Sequence, residues 1–261
     1  MRGALRALAT GAGLLLLWQA VVWATGVPRF LLPPPVEVAT TLVARADLLA
    51  LHAGVTLLEI ALGFALGGVL GGASAVLIGY SARARRWLMP LIVVSQAIPV
   101  FALAPLLVLW LGYGLASKVA MACLVIYFPV TVALFDGLRR TEPGWLDLGR
   151  TMLAGRAGPA AVRWTLLRHI RLPAALPAFA SGLRVAAAVS PIGAVIGEWV
   201  GASAGLGYLM LHANARVQTE LTFAALFLLG LIAVALYAAV DWALKRLIPW
   251  QPDTHPTEET T

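Results

Sequence analysis

Long stretches without any charged residue limit what this chain can fold into. The first covers residues 8–27, the second residues 60–82, and the third runs for 31 residues from Trp87 to Ser117. A helix needs about 20 apolar residues to cross a hydrocarbon layer about 30 Å thick. The chain is 61% hydrophobic and only 12% charged, whereas soluble domains are roughly 25% charged. These stretches therefore predict an all-α, polytopic membrane protein.

Six spans account for the apolar stretches. We place them at about residues 8–27, 58–80, 89–111, 115–135, 178–200 and 221–243, in one transmembrane domain over residues 1–248. The polar tail at 249–261 has the composition of a disordered segment. Between the first two spans, Pro33–Pro35 predict an extended segment that leads into a short helix. Gly63, Gly67 and Gly71 recur at every fourth residue and predict close packing of the second span against a neighbour.

The distribution of Lys and Arg predicts the orientation. Six spans put both termini on one side, and that side carries fourteen of the 19 Lys and Arg residues, the other carries four, and Arg184 lies inside a span. The positive-inside rule then places both termini and the long polar loop in the cytoplasm. The net charge of +7 does not indicate nucleic acid, because the basic residues are dispersed among the ends of apolar stretches.

The only long polar segment lies at residues 136–177. Gly158-Pro159 predicts the start of a helix that Pro173 ends after about Leu172. That helix is amphipathic, with Val162, Leu166 and Ile170 on one face and Trp164, Arg168 and Arg171 on the other. A basic helix of this kind typically either lies on an anionic lipid surface or docks on a soluble partner. The residues alone leave both interpretations open.

Three motifs resemble the permease subunits of bacterial ABC importers: Leu32–Val38 (LPPPVEV), Gln96–Pro105 (QAIPVFALAP) and Ile170–Pro173 (IRLP). The resemblance covers nearly the whole chain and is greatest to permeases for nitrate, sulfonates, taurine and pyrimidine precursors. It implies a type I importer fold, a homodimer and an external solute-binding protein. It also implies that a separate ATPase dimer binds ATP and magnesium, while this chain is not an enzyme and holds no cofactor or metal. The sequence has no phosphate-binding loop, which agrees with ATP binding by a separate subunit.

The resemblance also implies which loop residues couple to the ATPase. The family pattern is Glu-Ala-Ala, three residues, Gly, nine residues and Ile-x-Leu-Pro. Counting back from Pro173 puts Ala160 at the Gly position and Ala154–Arg156 at the Glu-Ala-Ala positions, so only the C-terminal half matches and either Gly155 or Gly158 makes the turn. The implied coupling residues are Arg150, Ala154, Gly155, Arg156, Gly158, Ala160, Ile170, Leu172 and Pro173.

Prolines and polar residues within the predicted spans indicate a translocation pathway. Pro99 and Pro105 predict a kink in the third span, which faces the pathway or only serves packing. Pro191, with Gly193 and Gly197, is expected to break the regular course of the fifth span. The candidate pathway residues are Gln96, Pro99, Ser190, Pro191, Glu198, Trp199, His212 and Asn214.

Three charged residues lie in or near spans, where a charge at the centre costs about 2.5 to 3.5 kcal/mol on insertion scales. We interpret Glu59 as interfacial and Arg184 as snorkelling to the cytoplasmic surface. Glu198 is either an interfacial anchor or part of a substrate gate. A proton-coupled secondary transporter is less favoured, since it requires acids near mid-membrane and leaves the basic loop unexplained.

The substrate prediction depends on residues 190–218. Trp199, His212 and Asn214 suit a small neutral heterocycle that stacks and accepts hydrogen bonds. An oxyanion would require Arg or a free helix N-terminus, and only Arg216 is near. The passage also resembles that of permeases for hydroxymethylpyrimidine-type thiamine precursors. The alternatives are a sulfonate, taurine or nitrate substrate, or a pore without a tight site that leaves selection to the binding protein.

Overall fold

The computed structural model describes residues 2–155 and 158–250, although not the side chains of residues 2–4, 6–8 and 96. Arg156 and most of the predicted tail therefore lie outside the described residues. The described chain is entirely helical, which confirms the all-α prediction. Its helices are α1 (Arg2–Thr25), α2 (Pro35–Ala44), α3 (Ala46–Tyr80), α4 (Ala82–Ala97), α5 (Val100–Leu111), α6 (Leu115–Arg139), α7 (Pro143–Leu153), α8 (Pro159–Leu166), α9 (Leu172–Trp199), α10 (Leu206–Ala215) and α11 (Thr219–Leu247), with a π-helical segment (Leu167–Arg171) between α8 and α9.

Helices α3, α6 and α9 form the centre of the bundle, and α6 packs against both of the others over most of its length. Gly63, Gly67 and Gly71 of α3 face α6. A Cβ at Gly67 would lie 2.7 Å from Ile126, and one at Gly71 would lie 2.9 Å from the Tyr127 carbonyl oxygen. Because no side chain fits at these positions, the close packing predicted from the glycine spacing is confirmed.

Four helices are long and apolar enough to cross a membrane: α3, α6, α11, and the continuous helix from Pro159 to Trp199 that contains α8, the π-helical segment and α9. A fifth crossing results if α4 and α5 count as one bent span. The apolar part of α1, Ala9–Thr25, is slightly shorter than a full span within the described residues. The described helices therefore give four or five crossings by length and composition, against the six predicted.

The third predicted span is broken rather than kinked. Helix α4 ends at Ala97, α5 begins at Val100 after Pro99, and the two axes meet at 102°. Pro99 has no N–H to continue the ladder of α4, and its φ of −58° suits the residue before a new helix. Pro105, by contrast, lies inside α5 without ending it.

Two predicted helix breaks do not occur. Pro173 was expected to end the loop helix, but it lies in the first turn of α9, where a missing N–H costs little. The π-helical segment joins α8 to α9, and the Leu172 N–H bonds to the Leu167 carbonyl, five residues back. The helix thus passes from the loop into the fifth span without a gap.

Pro191 was expected to break the fifth span, yet α9 continues to Trp199. The Pro191 ring removes the N–H that would bond to the Ala187 carbonyl, and the Ser190 hydroxyl donates to that carbonyl instead, at 2.9 Å. Gly193 and Gly197 lie against Ala122 and Lys118 of α6 rather than opening the helix. A neighbouring hydroxyl and close helix packing therefore keep α9 regular.

Candidate functional site

Two ends of the bundle carry the candidate residues. We call them the α10 end, where α10 lies beside the start of α3 and the end of α9, and the loop end, which contains α7 and α8. The orientation predicted from Lys and Arg makes the loop end cytoplasmic.

A buried polar cluster lies at the α10 end. His52, Thr56 and Glu59 follow one face of α3, and Glu198 faces them from the last turn of α9. Their exposed fractions are 7% for His52, 0% for Thr56 and 1% for each glutamate. So many buried polar side chains in an apolar chain require hydrogen-bond partners, and most of those partners belong to one helix terminus.

Side chains of this cluster cap the N-terminus of α10. The Glu198 carboxylate accepts from the backbone N–H groups of Gly207 and, at 3.2 Å, Tyr208. The Leu206 N–H donates to the Thr56 hydroxyl at 2.7 Å, and the Gly205 N–H donates to His52 Nδ1 at 2.9 Å. Four consecutive N–H groups that a helix start leaves unpaired are thus satisfied by α3 and α9. The negative charge of Glu198 also complements the positive end of the α10 dipole.

Gly205 makes this close approach possible. Its φ is +118°, which favours glycine, and a Cβ at this position would overlap the Glu198 carboxyl group. The Thr56 hydroxyl completes the arrangement, since it lies 2.6 Å from Glu198 Oε1. The beginning of α10 is therefore held by one carboxylate, one hydroxyl, one imidazole and one glycine.

Glu59 extends the cluster towards α6. Its side chain lies within hydrogen-bonding reach of Glu198, and its Oε2 has no hydrogen-bond partner among the described residues. The Lys118 ammonium contributes an opposite charge and donates to the carbonyls of Tyr113, at 2.9 Å, and Gly114. The Glu59 side chain is buried against protein, which its interpretation as an interfacial residue did not anticipate.

The predicted pathway residues separate into buried and exposed groups. Ser190, Pro191 and Glu198 are buried, whereas Pro99, Trp199, His212 and Asn214 are exposed, and the side chain of Gln96 lies outside the described part. The Trp199 indole donates to the Gly207 carbonyl at 3.1 Å, which ties it to α10 as well. Glu198 and Trp199, at the end of α9, therefore both contact α10. Glu198 lies on the buried side of α10, whereas Trp199 is exposed.

Aromatic and imidazole rings stack along α10. The Tyr208 and His212 ring centroids lie 4.0 Å apart with the ring planes tilted by 35°, and the His52 ring of α3 stacks on Tyr208 at 5.9 Å. His212 is exposed. A flat ring can add to such a stack by π contact and hydrogen-bond to the imidazole.

Arg184 forms an ion pair instead of extending alone to the membrane surface. Its Nε donates to Asp241 of α11 at 2.7 Å, and Lys245 joins the same carboxylate at 3.0 Å. The Arg184 and Asp241 side chains are 22% and 24% exposed. The ion pair therefore neutralises both charges and links α9 to α11, which the snorkelling interpretation missed.

At the loop end, the predicted coupling residues follow two short helices and the start of α9. Arg150 lies on α7, Ala154 and Gly155 form the turn after it, Gly158 precedes α8, Ala160 lies in the first turn of α8, and Ile170, Leu172 and Pro173 follow in the π-helical segment and α9. Gly155 has φ +71° and makes the turn, while Gly158 has an ordinary φ of −69°. Arg171, predicted on the exposed face, instead turns inward and donates to the Leu138 and Gly79 carbonyls.

Sequence reasoning missed an apolar stripe on α7. Trp145, Leu148 and Met152 are 52%, 62% and 65% exposed, and they border a groove of about 440 Å³. Ile170 and Pro173 line the other side of that groove. The signal was available, because apolar residues at positions i, i+3 and i+7 predict an amphipathic helix.

These features define a helical membrane protein, with several apolar spans and one polar loop. Residues 63–251 match the family model described as "Binding-protein-dependent transport system inner membrane component". The chain belongs to this family and is the permease subunit of an ABC importer, a multi-pass inner-membrane protein. Permeases of this kind operate with an ATPase and a substrate-binding protein, and they transport rather than catalyse.

Several relatives are similar over most of their length. A probable ABC transporter permease protein of Haemophilus influenzae is 54% identical, over 90% of this chain and 93% of its own. The formylaminopyrimidine transport permease protein ThiX of Halalkalibacterium halodurans is 37% identical over 91% and 92%. The riboflavin transport system permease protein RibX of Chloroflexus aurantiacus is 36% identical over 91% and 87%. At 28% identity, Escherichia coli permeases named for taurine and for aliphatic sulfonates are also similar.

Proposed function

We propose that this permease imports a pyrimidine precursor of thiamine, of the hydroxymethylpyrimidine type, that an external binding protein delivers. The observation that carries the proposal is the similarity, over nine-tenths of both chains, to a permease named for formylaminopyrimidine. A relative named for riboflavin, another flat nitrogen heterocycle, is almost equally similar. Relatives named for anionic sulfonates are less so.

The α10 end supports a neutral flat substrate. Tyr208 and the exposed His212 present two adjacent rings, and Asn214 is exposed near the end of the same helix. Arg216, the basic residue that ends α10, is exposed. A sulfonate would need several directed donors, whereas a pyrimidine needs a stacking surface and one or two hydrogen bonds.

The substrate is tested by uptake. Cells that lack this permease should lose most of their uptake of radiolabelled hydroxymethylpyrimidine, and plasmid-borne wild-type permease should restore it. Growth on taurine or an alkanesulfonate as sulfur source should remain unchanged. Normal pyrimidine uptake together with loss of sulfonate use would contradict the substrate and leave the importer assignment intact.

We further propose that the loop end is cytoplasmic and docks on a separate ATPase, with two copies of this chain forming the permease. The docking surface would consist of the exposed stripe of α7 and its groove, together with Ala154 and Ala160 on the neighbouring turn and helix. Its support is the exposed apolar area of Trp145, Leu148 and Met152, which a soluble partner would cover.

The docking proposal is tested with substitutions at exposed positions that do not contribute to the packed core. Leu148→Asp or Ala160→Glu should leave the amount of inserted permease unchanged and abolish permease-dependent stimulation of ATP hydrolysis. Leu148→Met and Ala160→Ser are matched controls that should retain it. Full stimulation in both charged variants would exclude this surface as the coupling site.

A further inference from the structure

A second cavity at the loop end is strongly basic. It has a volume of about 600 Å³ and lies between the end of α3, the start of α4, and helices α7 and α8. Four of its lining residues are Arg85, Arg150, Arg163 and Arg171, and none is Asp or Glu. This cavity, which we call the arginine pocket, is distinct from the apolar groove beside α7, although Ala154 of the proposed docking surface lies at its border.

The backbone holds two of the four arginines in place. Arg171 donates to the carbonyls of Leu138 and Gly79, and Arg163 donates to the Tyr80 carbonyl at 2.6 Å. These carbonyls belong to the C-terminal ends of α6 and α3, which leaves the guanidinium charges without a carboxylate partner. Because each guanidinium has five N–H donors, both retain donors for a further acceptor.

The other two arginines are exposed and less constrained. Arg150 forms an ion pair with Asp147, whose side chain is 70% exposed. Arg85 forms no ion pair with any residue in the described ranges. The first residues of α4 and α8, Ala82 and Pro159, also line the cavity, so the positive ends of two helix dipoles face it. Four arginines with a single exposed counter-charge, Asp147, favour an anionic ligand.

Two tryptophans indicate the depth of the pocket relative to a bilayer. Trp87, two residues after Arg85, is 71% exposed, and Trp164, next to Arg163, is 50% exposed. The Trp164 ring packs edge-on against Tyr80, which borders the cavity. Exposed Trp at the end of membrane helices is typical of the headgroup region. The arginine pocket therefore lies where lipid phosphates are available.

We propose that the arginine pocket binds the phosphate group of an anionic phospholipid from the membrane leaflet at the loop end. Arginine is suited to this role because its planar fork donates two parallel hydrogen bonds to phosphate oxygens. Lipid binding at this point would connect α3 and α4 to α7 and α8 through one shared anion.

The test measures binding of dioctanoyl phosphatidylglycerol to the full-length permease in detergent, alone and in complex with its ATPase. The pocket variant is Arg85→Gln/Arg150→Gln, which spares the two arginines that bind the helix ends. The control is Arg83→Gln/Arg86→Gln, which removes the same charge from exposed positions on α4 outside the pocket. Dioctanoyl phosphatidylcholine and pyrophosphate serve as neutral-lipid and soluble-phosphate probes.

We expect the dissociation constant for phosphatidylglycerol to rise at least about tenfold in the pocket variant and less than about twofold in the control, since charged hydrogen bonds to phosphate are lost only in the former. Equal effects in both variants would overturn the proposal. So would pocket-dependent binding of pyrophosphate alone, which would indicate a soluble anion. Loss of lipid binding on assembly with the ATPase would show that the partner fills the pocket, and would also overturn it.

Discussion

Replacing Glu198 should weaken the attachment of α10 to the bundle. The size of the effect should depend on which hydrogen-bonding atoms the new side chain provides. In Glu198→Ala, the N–H groups of Gly207 and Tyr208 lose their acceptor in a buried site, while the Thr56 hydroxyl can turn to the His52 carbonyl, 3.2 Å away. A buried group without a partner costs about 1 to 3 kcal/mol, so two such groups set an upper range of about 2 to 6 kcal/mol.

One effect reduces that range, because water can enter the space left by the side chain and satisfy some donors. We therefore expect a net loss of about 3 kcal/mol for Glu198→Ala.

Glu198→Gln should be much milder. Its carbonyl oxygen can replace Oε2 and accept from both N–H groups, while its amide can donate to Thr56, whose hydroxyl then turns to the His52 carbonyl, 3.2 Å away. What is lost is the charge at the start of α10, worth about 0.3 to 2 kcal/mol.

The assay is thermal unfolding of the purified full-length permease in detergent, combined with limited proteolysis of the segment at residues 200–205. Asp47→Asn, at the exposed start of α3, is the matched control for loss of an acid near a helix N-terminus. Glu198→Ala should lower the unfolding temperature and expose the segment to protease, whereas Glu198→Gln and Asp47→Asn should stay near wild type. Equal destabilisation by Ala and Gln would mean that charge, rather than hydrogen bonding, holds α10, and would refute this reasoning.

Three further predictions concern helix packing. Gly193→Val should lower the free energy of unfolding by about 1 to 3 kcal/mol, because a Cβ there would lie 2.6 Å from the Ala122 backbone. Gly230→Val is the control and should be nearly neutral in the same unfolding assay, since nothing lies within 4 Å of a Cβ at that position. Arg171→Lys should cost about 1 to 3 kcal/mol, because an ammonium cannot reach both carbonyls that the guanidinium holds, and an unchanged unfolding temperature would contradict this. A double-mutant cycle on Arg184→Ala and Asp241→Ala should give a coupling of about 1 kcal/mol; a value near zero would mean that the ion pair does not join α9 to α11.

Local sequence patterns were sufficient to predict features that depend on residues close to one another in the chain. The glycines of α3 recur every four residues, so one helix face can be read directly from the chain. The same holds for the short helix after Pro33–Pro35, which appears as α2. The exposed stripe of α7 was equally readable and was overlooked, so that omission does not reflect a limit of the sequence.

The cap of α10 is different, because its parts are distant in sequence. Thr56 and Glu198 are 142 positions apart, and neither residue type is unusual alone. Glu198 next to Trp199 favoured an interfacial or substrate-facing position, whereas the fold turns it inward to a helix terminus. The course of α9 past Pro191 was unpredictable for a related reason, since a proline signals a break unless a neighbour such as Ser190 satisfies the freed carbonyl.

The continuity of α9 gives this fold a direct mechanical connection between its two ends. Its 28 residues span about 42 Å, from Leu172 beside the groove of α7 to the last turn that carries Glu198. Along that length it packs against α6 without room for a side chain at Gly193, so the pair moves as one body. Helix α4 packs on α3, α5 packs on α6 and α9, and the two helices meet at a break of 102°. A displacement at the loop end should therefore reach α10 through α9 and Glu198, while the bend at Pro99 accommodates the movement.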